Sequence, residues 1–295
     1  MYHYYMKRAV LIGINYVGTN YQLNGCHNDV IKFKPLLMEQ YGYKESNIVM
    51  LLDKPGFRSP TKQNIIDALS QLTSAQDEIL IYYSGHGTQI ADNDMDEVDG
   101  QDECIVPVSG GLITDDWIYS FLSSLNPVNK IIMVFDSCNS GSCADLPRSI
   151  TSNISGLIIH SFSNRSFINN QNIFVLSGCI DSEFSYDSTE PDGTPAGLMS
   201  CNLRKTLAKL NYSCTIQQLL ESLTEGMGYS PVVSVNSDNI SNDAIVFQKT
   251  QNNSIPNQDN STRELIQKLR QIRSQLQQKL TQPKRQVIDR KSTRL

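Results

Sequence analysis

Two short motifs contain residue types that could carry out nucleophilic catalysis. His86 stands between glycines in Ser84-Gly85-His86-Gly87, and a cysteine ends Asp136-Ser137-Cys138. A cysteine becomes a strong nucleophile as a thiolate, and a neighbouring histidine can take its proton. The backbone N–H groups of Gly87 and Cys138 could then stabilise the oxyanion of a tetrahedral intermediate. These residues predict a cysteine protease with Cys138 as nucleophile and His86 as base.

Either motif alone has an ordinary structural explanation. A cysteine at the end of a strand is often a small hydrophobic residue, and a lone histidine is often a hydrogen-bonded polar residue. Both motifs, however, directly follow an apolar run, and the histidine precedes the cysteine by 52 residues. In open α/β sheets the ligand crevice lies beyond the carboxyl ends of the strands. We therefore expect the two motifs to form one site.

The elements that must position these motifs are predicted to alternate between strands and helices. Continuous β-branched runs are typical of strands buried on both faces, and they occur at residues 9–14, 47–52, 79–84, 130–136 and 172–177. Helical spacing occurs at residues 29–41, 61–73, 115–125 and 197–210, with Thr61 and Thr114 as N-caps. The alternation predicts an α/β fold with a mostly parallel central sheet and helices on both faces.

The composition is that of an ordinary globular protein, and its charge is unevenly distributed. The 295 residues are 39% hydrophobic with a formal net charge of −5. Residues 251–295 contain ten basic and three acidic residues, a net of +7, so the remainder carries −12. An acidic body with a basic tail argues against general nucleic-acid binding.

Cysteine usage and hydropathy bear on the compartment. Seven cysteines, an odd number without a C-x-x-C pair, disfavour a disulfide scaffold or a zinc site. No apolar run approaches the roughly 20 residues of a transmembrane helix. We therefore expect a cytoplasmic protein without a membrane span.

The two motifs, with Asp-Ser-Cys at the nucleophile, resemble those of the metacaspases, a family within the caspase-like superfamily. The resemblance covers about residues 7–248 and implies a caspase-hemoglobinase fold, an α/β/α sandwich. It implies a peptidase domain over residues 1–248, divided into a large-subunit-like region (1–145), a connector (146–171) and a small-subunit-like region (172–248). The connector is Ser- and Asn-rich and is expected to be exposed. Its short length is similar to type I metacaspases, although their N-terminal prodomain is absent from this sequence.

The resemblance also implies an acidic S1 pocket. It places Asp29 and Asp136 in that pocket, with Cys26 and Ser84 lining it. Two carboxylates favour Arg or Lys at the P1 position through charge-assisted hydrogen bonds, and they repel Asp. From the residues alone, Asp29 could also be a helix N-cap that is favourably placed in the helix dipole, and the two roles are compatible.

A dense run of carboxylates at residues 92–103 raises the question of a bound cation. Its spacing imitates an EF-hand, but Glu97 stands where that loop needs glycine, so we reject an EF-hand. The resemblance implies a different calcium site, formed by Asp102, Asp115, Asp116 and Asp145. An ion bound there would favour the competent arrangement of the segment next to the nucleophile. A solvated acidic loop is the alternative interpretation.

Two positions depart from the family pattern. Asn139 follows the nucleophile where metacaspases usually have His, and Glu183 stands where Gln is common. We expect Asn139 to alter a subsite or the mobility of the segment without loss of the chemistry, because the role of the base belongs to His86. Glu183 is expected to affect the small-subunit contact.

The last segment, residues 249–295, is predicted to be an Asn/Gln-rich linker followed by a basic amphipathic helix. This helix could dock on its own domain, self-associate or lie on a membrane surface. We expect a monomer in which the helix is a candidate interaction element.

Together these features predict a calcium-stimulated cysteine endopeptidase that cleaves protein or peptide substrates after Arg or Lys. Arg148 and Arg165 in the connector are candidate self-cleavage sites. A catalytically silent caspase-like scaffold acting through the C-terminal helix is one alternative. A paracaspase-like protease of similar specificity is another.

Overall fold

The computed structural model describes most of the first 250 residues of the chain. The described ranges are 6–72, 78–92, 100–137, 143–153, 156–160, 165–178, 187–190, 192–226, 230–238 and 240–250. The predicted linker and C-terminal helix lie outside these residues, apart from residues 249–250. Their structure stays a prediction, as do the boundaries of the subunit-like regions.

Strands and helices alternate along the first half of the chain, as the hydrophobic pattern predicts. The strands are β1 Lys7–Gly13, β2 Ile48–Leu52, β3 Glu78–Ser84, β4 Gly87–Ala91, β5 Gln101–Ile105, β6 Ile113–Thr114, β7 Lys130–Asp136, β8 Arg148–Asn153, β9 Gly156–His160, β10 Ile173–Ser177, β11 Asp187–Thr189, β12 Pro195–Gly197, β13 Cys214–Thr215, β14 Val232–Val235 and β15 Ile245–Phe247. The helices are α1 Cys26–Tyr41, α2 Lys62–Ser70, α3 Asp115–Ser124, α4 Leu198–Lys209 and α5 Ile216–Gly226, with a 3-10 turn at Glu45–Asn47.

Among the described residues, eight strands form the central sheet in the order β2-β1-β3-β7-β10-β14-β8-β9. The five strands from β2 to β10 pair in parallel, whereas β14, β8 and β9 pair antiparallel. The predicted α/β fold with a mostly parallel sheet is therefore confirmed.

Each face of the sheet carries its own apolar core, because alternate residues of a strand point to opposite faces. On one face, Leu11 and Leu80 pack with Phe33 of α1, Leu203 of α4 and Leu219 of α5. On the other face, β1 and β3 residues pack with α2 and α3 through a second buried cluster. These layers form the predicted α/β/α sandwich.

The predicted helix starts are also confirmed at two threonines. The Thr61 side chain accepts a hydrogen bond from the Asn64 N–H, and Thr114 accepts one from the Trp117 N–H. Such caps satisfy N–H groups that have no partner within the helix. In the described part of the chain, the helices are too short or too polar to cross a membrane.

The connector differs from its prediction as an exposed segment. Within it, β8 pairs with β14 and with β9, so this stretch belongs to the central sheet. Ser149, Ile150 and Thr151 of β8 are buried. The expectation failed because this strand buries serines and threonines, which do not give the apolar run that the prediction relied on.

Candidate active site

The two motifs follow adjacent strands whose ends are in register. Ser84, the last residue of β3, pairs with Asp136, the last residue of β7. The Gly85 N–H continues this pairing by donating to the Asp136 carbonyl at 3.3 Å. His86 therefore lies two residues beyond the end of β3, and Cys138 follows the end of the neighbouring strand β7 by two residues. Cys138 itself lies outside the described residues.

His86 is held at its backbone and at its ring. The Tyr16 hydroxyl accepts from the His86 N–H at 2.9 Å, and the Tyr83 hydroxyl donates to the His86 carbonyl at 2.6 Å. The rings of Tyr16 and His86 lie with their centroids 4.5 Å apart. Gly85 is required here, because a Cβ at that position would lie 2.7 Å from the Tyr83 hydroxyl oxygen.

A backbone carbonyl determines which ring nitrogen of His86 carries the proton. Nε2 lies 2.7 Å from the Tyr21 oxygen. A carbonyl only accepts, so this hydrogen bond places a proton on Nε2 and leaves Nδ1 as the basic nitrogen. This partner could not be predicted from the sequence, because the group is part of the backbone and carries no side-chain signature.

The loop that carries Tyr16 and Tyr21 is anchored by a partly buried polar pair. His27 Nε2 lies 2.5 Å from Asp53 Oδ1, and the Asp53 carboxylate also accepts from the N–H groups of Asn15 and Val17. Burial opposes ionisation of Asp53, yet the His27 contact and these N–H donors hold its pKa below the usual value. An ionised Asp53 therefore fixes the loop whose carbonyl orients His86.

The residues predicted to form the S1 pocket meet beside these strand ends. The Ser84 hydroxyl donates to Asp29 Oδ2 at 2.9 Å, and Asp136 is close enough to Asp29 to influence its ionisation. Cys26, the first residue of α1, is buried, as are Asp29 and Asp136. The structure thus brings the predicted carboxylates and Ser84 together. The alternative role of Asp29 as a helix N-cap is wrong, because α1 begins at Cys26 with Gly25 as its N-cap, and Asp29 lies inside the first turn, where its charge is still favourable.

The start of α4 adds residues that sequence reasoning missed. The Gly197 N–H lies 3.1 Å from both carboxylate oxygens of Asp29. Ser200 donates to Asp136 Oδ2 from its N–H at 2.9 Å and from its hydroxyl at 2.5 Å. Arg204 Nη1 lies 3.9 Å from Asp29 Oδ1.

Burial and the neighbouring Asp136 raise the pKa of Asp29 to about 8. The hydrogen bond from Ser84, the charge of Arg204 and the N–H of Gly197 act in the opposite direction. The Asp29–Asp136 pair therefore resists full ionisation, because two like charges lie close together in a buried site.

The residues predicted to bind calcium form a second acidic cluster. Asp102, Asp115 and Asp116 each offer a carboxylate oxygen, and these oxygens all lie within 4.8 Å of one another. Asp115 is buried and accepts from the backbone N–H groups of Glu103 and Asp116, at 2.6 and 2.8 Å. Opposite ligands of one calcium ion are about 4.8 Å apart, so the spacing fits a shared divalent cation.

Arg165 joins the fourth predicted ligand to this cluster. Its guanidinium makes a short contact with Asp116 Oδ1, and its Nε donates to Asp145 Oδ2 at 3.3 Å. The guanidinium also lies 5.0 Å from the centroid of the Tyr119 ring. A cationic group of the chain itself therefore lies between Asp116 and Asp145.

The two candidate self-cleavage sites differ in their surroundings. Arg148 begins β8 and forms an ion pair with Asp238, and the following Ser149 is buried in the sheet. A protease needs its substrate segment extended and accessible, so this position disfavours Arg148. Arg165 lies in a segment, residues 165–172, that has no helix or strand and leads into β10. Asn139 and Glu183 lie outside the described residues.

Comparison with known proteins agrees with the motifs. A family model described as the metacaspase peptidase C14 domain matches residues 7–147. Residues 7–147 are a metacaspase domain. The resemblance inferred from the two motifs is thereby confirmed.

Relatives of this metacaspase domain come from distant organisms. Metacaspase-1 of Plasmodium falciparum (isolate 3D7) is 38% identical over 210 residues, which cover 65% of this chain and 32% of that protein. Metacaspase-1 of Schizosaccharomyces pombe is 41% identical over 150 residues, 48% of this chain and 35% of that protein. Metacaspase-4 of Arabidopsis thaliana is 42% identical over 144 residues, 47% and 34% of the two chains. The chain thus spans about a third of the length of these relatives.

A solved structure supports the fold of the metacaspase domain and its surroundings. The crystal structure of protein GSU0716 from Geobacter sulfurreducens is similar with a TM-score of 0.59, covering 80% of this chain and 95% of that one. At 20% sequence identity, this likeness concerns the fold alone.

Proposed function

We propose that the chain is a cysteine endopeptidase in which Cys138 attacks the peptide bond and His86 is the base. The observation that supports this most is the register of β3 with β7, in which Ser84 pairs with Asp136. Two catalytic residue types thus follow directly neighbouring strand ends, within a metacaspase domain.

The proposed reaction uses the two nitrogens of His86 differently. Nδ1 takes the Cys138 proton while Nε2–H stays bonded to the Tyr21 carbonyl, and the thiolate attacks the scissile carbonyl. The N–H groups of Gly87 and Cys138 stabilise the oxyanion, typically by a few kcal/mol for each donor. Nδ1–H then protonates the leaving amine. Water, deprotonated by Nδ1 of His86, attacks the thioester carbonyl, the C–S bond breaks, and the Cys138 sulfur takes the proton back from His86.

We further propose that this protease cleaves after Arg or Lys. Asp29 and Asp136 offer two carboxylates in a buried site, where a guanidinium or ammonium group would be bound through charge-assisted hydrogen bonds. An acidic P1 residue would meet like charges and lose binding.

Calcium stimulation is the third part of the proposal. Asp102, Asp115 and Asp116 are spaced to share one ion. The proposal is also supported by Arg165, a cationic group that contacts both Asp116 and Asp145. When bound, the ion would neutralise the clustered carboxylates and favour one arrangement of the segment that contains Asp145. Because Arg165 and calcium need the same carboxylates, ion binding would release this arginine.

Peptide cleavage tests the proposal directly. We expect an Arg-P1 or Lys-P1 fluorogenic peptide to be cleaved in calcium and an Asp-P1 peptide to be left intact. Cys138→Ala should abolish cleavage, since it removes the nucleophile. Equal rates with calcium and with a chelator would contradict the calcium role alone, whereas activity in Cys138→Ala would contradict the catalytic assignment.

Self-cleavage gives an independent test. We expect calcium to produce a cut after Arg165 in the active chain, identified by mass spectrometry, and none after Arg148. The Cys138→Ala chain is the control and should stay intact. A first cut after Arg148 would contradict the structural argument that β8 protects that bond.

A further inference from the structure

The first turn of α4 is bonded to both acidic residues of the S1 site. The Gly197 N–H lies 3.1 Å from each carboxylate oxygen of Asp29. Ser200 donates two hydrogen bonds to Asp136 Oδ2, at 2.9 and 2.5 Å. These contacts join positions 168 and 64 residues apart in the chain.

The geometry of the helix explains why α4 can make these bonds. The first N–H groups of a helix have no partner within it, and the positive end of the helix favours a nearby carboxylate. Asp136 therefore acts as the cap of α4 from another element. Ser200 Oγ donates to this carboxylate, so it accepts from the Tyr82 hydroxyl 2.5 Å away, which extends the chain of bonds into β3.

Gly197 is needed because the backbone approaches the carboxylate closely. A Cβ at this position would lie 2.1 Å from Asp136 Oδ2. Real Cβ atoms do not approach an oxygen this closely, so any side chain would move either α4 or the Asp136 carboxylate.

One turn further along α4, Arg204 supplies a positive charge beside Asp29. Its Nη1 lies 3.9 Å from Asp29 Oδ1, and its Nη2 is bonded to Glu190. The Arg204 side chain is 13% exposed. In this buried position the guanidinium favours ionised Asp29, while Glu190 balances part of its charge.

We propose that Gly197, Ser200 and Arg204 are positioning residues of the S1 pocket, so that the start of α4 sets the orientation and charge of its carboxylates. The inference rests on the proposed cleavage after Arg or Lys. It adds a determinant from the second half of the chain to a pocket otherwise built from residues before Cys138. These three residues act through Asp29 and Asp136.

Ser200→Ala tests the orientation part of the proposal. The change removes one hydrogen bond to Asp136 and keeps the backbone N–H. We expect KM for an Arg-P1 peptide to rise about fivefold, with kcat within about twofold of the wild type, measured after titration of the active sites with an Arg chloromethylketone. Ser222→Ala, a partly buried serine of α5, is the matched control and should keep the wild-type KM.

Arg204→Gln tests the charge part with a pH profile. Within the part of the chain that the structure describes, the charged and titratable groups that face Asp29 are Asp136 on β7, Tyr82 on β3 and Arg204 itself. Losing the guanidinium leaves Asp29 harder to ionise, so the rising limb of kcat/KM should move to higher pH, by about half a unit or more. Arg204→Lys keeps a charge and should restore much of the profile.

The possible outcomes separate the inference from the proposed function. Failure of the wild type to cleave an Arg-P1 peptide would overturn the proposed function and this inference with it. Wild-type cleavage with an unchanged KM in Ser200→Ala and an unchanged pH profile in Arg204→Gln would overturn the inference alone. If these residues served only to stabilise the fold, the substitutions would lower the concentration of titrated active sites but would leave the KM and the pH profile unchanged.

Discussion

The molecule contains two clusters of aspartates that are stabilised by different kinds of donor. Asp29 and Asp136 accept from backbone N–H groups and a short serine side chain at the start of α4. Asp116 and Asp145 are instead bridged by the guanidinium of one long side chain, Arg165. The first set of donors belongs to a helix, and the second can leave by rotating its side chain.

This difference matches the two cationic ligands that we propose, a basic P1 side chain and calcium. Backbone donors cannot move without unwinding α4, so they orient a carboxylate that must meet the same kind of side chain in every substrate. A guanidinium bound to a cluster keeps that cluster neutralised until another cation replaces it. A fixed site suits substrate recognition, and an exchangeable one suits regulation.

Asp29→Asn should give the largest effect, and that effect should be confined to the Asp29–Asp136 cluster. At about pH 9, where Asp29 is ionised, removing one carboxylate from the proposed S1 site should lower kcat/KM for an Arg-P1 peptide about 100-fold, because a buried charge-assisted contact is lost. Calcium affinity, measured by titration calorimetry, should stay at the wild-type value. Asp243→Asn, on the surface, is the control. A parallel fall in calcium affinity would show that the clusters are not separate.

Asp116→Asn, in the other cluster, should weaken calcium binding and have little effect on substrate binding. We expect calcium affinity to fall about tenfold or more, because affinity follows the number of charged ligands. KM for the Arg-P1 peptide at saturating calcium should change far less than in Asp29→Asn. A rise in KM as large as that of Asp29→Asn would contradict the division of roles.

Strand periodicity locates the ends of β3 and β7, so Ser84, His86 and Asp136 could be placed near one another from the sequence. Continuous apolar runs gave β7 its observed bounds, and polar residues at the strand ends marked the site. Membership of the acidic clusters came from the family resemblance, and the structure brought Asp102, Asp115 and Asp116 together.

The stabilising partners could not be predicted, and the reason is physical. The Tyr21 carbonyl and the Gly197 N–H are backbone groups that every residue carries. Their role depends on tertiary contacts across 65 and 168 residues of chain. The Arg165 bridge was missed for a related reason, since an arginine in a polar connector is usually solvated.

Arg165→Gln should change calcium affinity in the opposite direction to the loss of a calcium ligand. Removing the competing guanidinium should tighten calcium binding about fivefold, the equivalent of about 1 kcal/mol for a partly exposed ion pair. The measurement is made in the Cys138→Ala chain, so that self-cleavage does not interfere. Arg148→Gln, which lies at an ion pair with Asp238, is the matched control. Weaker binding in Arg165→Gln would mean that the arginine supports the site and does not compete for it.

The smallest expected effect is a pH dependence of catalysis that arises from the Asp29–Asp136 cluster. Burial and Asp136 raise the pKa of Asp29 to about 8, so this carboxyl gains its charge as the pH rises through that value. The ratio of wild-type to Asp29→Asn kcat/KM for an Arg-P1 peptide should therefore increase severalfold between about pH 7 and 9. Taking the ratio removes the titrations of Cys138 and His86, which both proteins share.

The same shift predicts a change in stability with a definite sign. An unfolded aspartate loses its proton near pH 4, whereas folded Asp29 keeps it until about pH 8. Between these values the folded state binds more protons, so the free energy of unfolding of the wild type, relative to Asp29→Asn, should fall as pH rises and level off above about 8. Urea unfolding of both proteins across this range measures it. A difference that stays constant across this range would mean that the hydrogen-bond donors of α4 outweigh burial, and that Asp29 is ionised well below neutral pH.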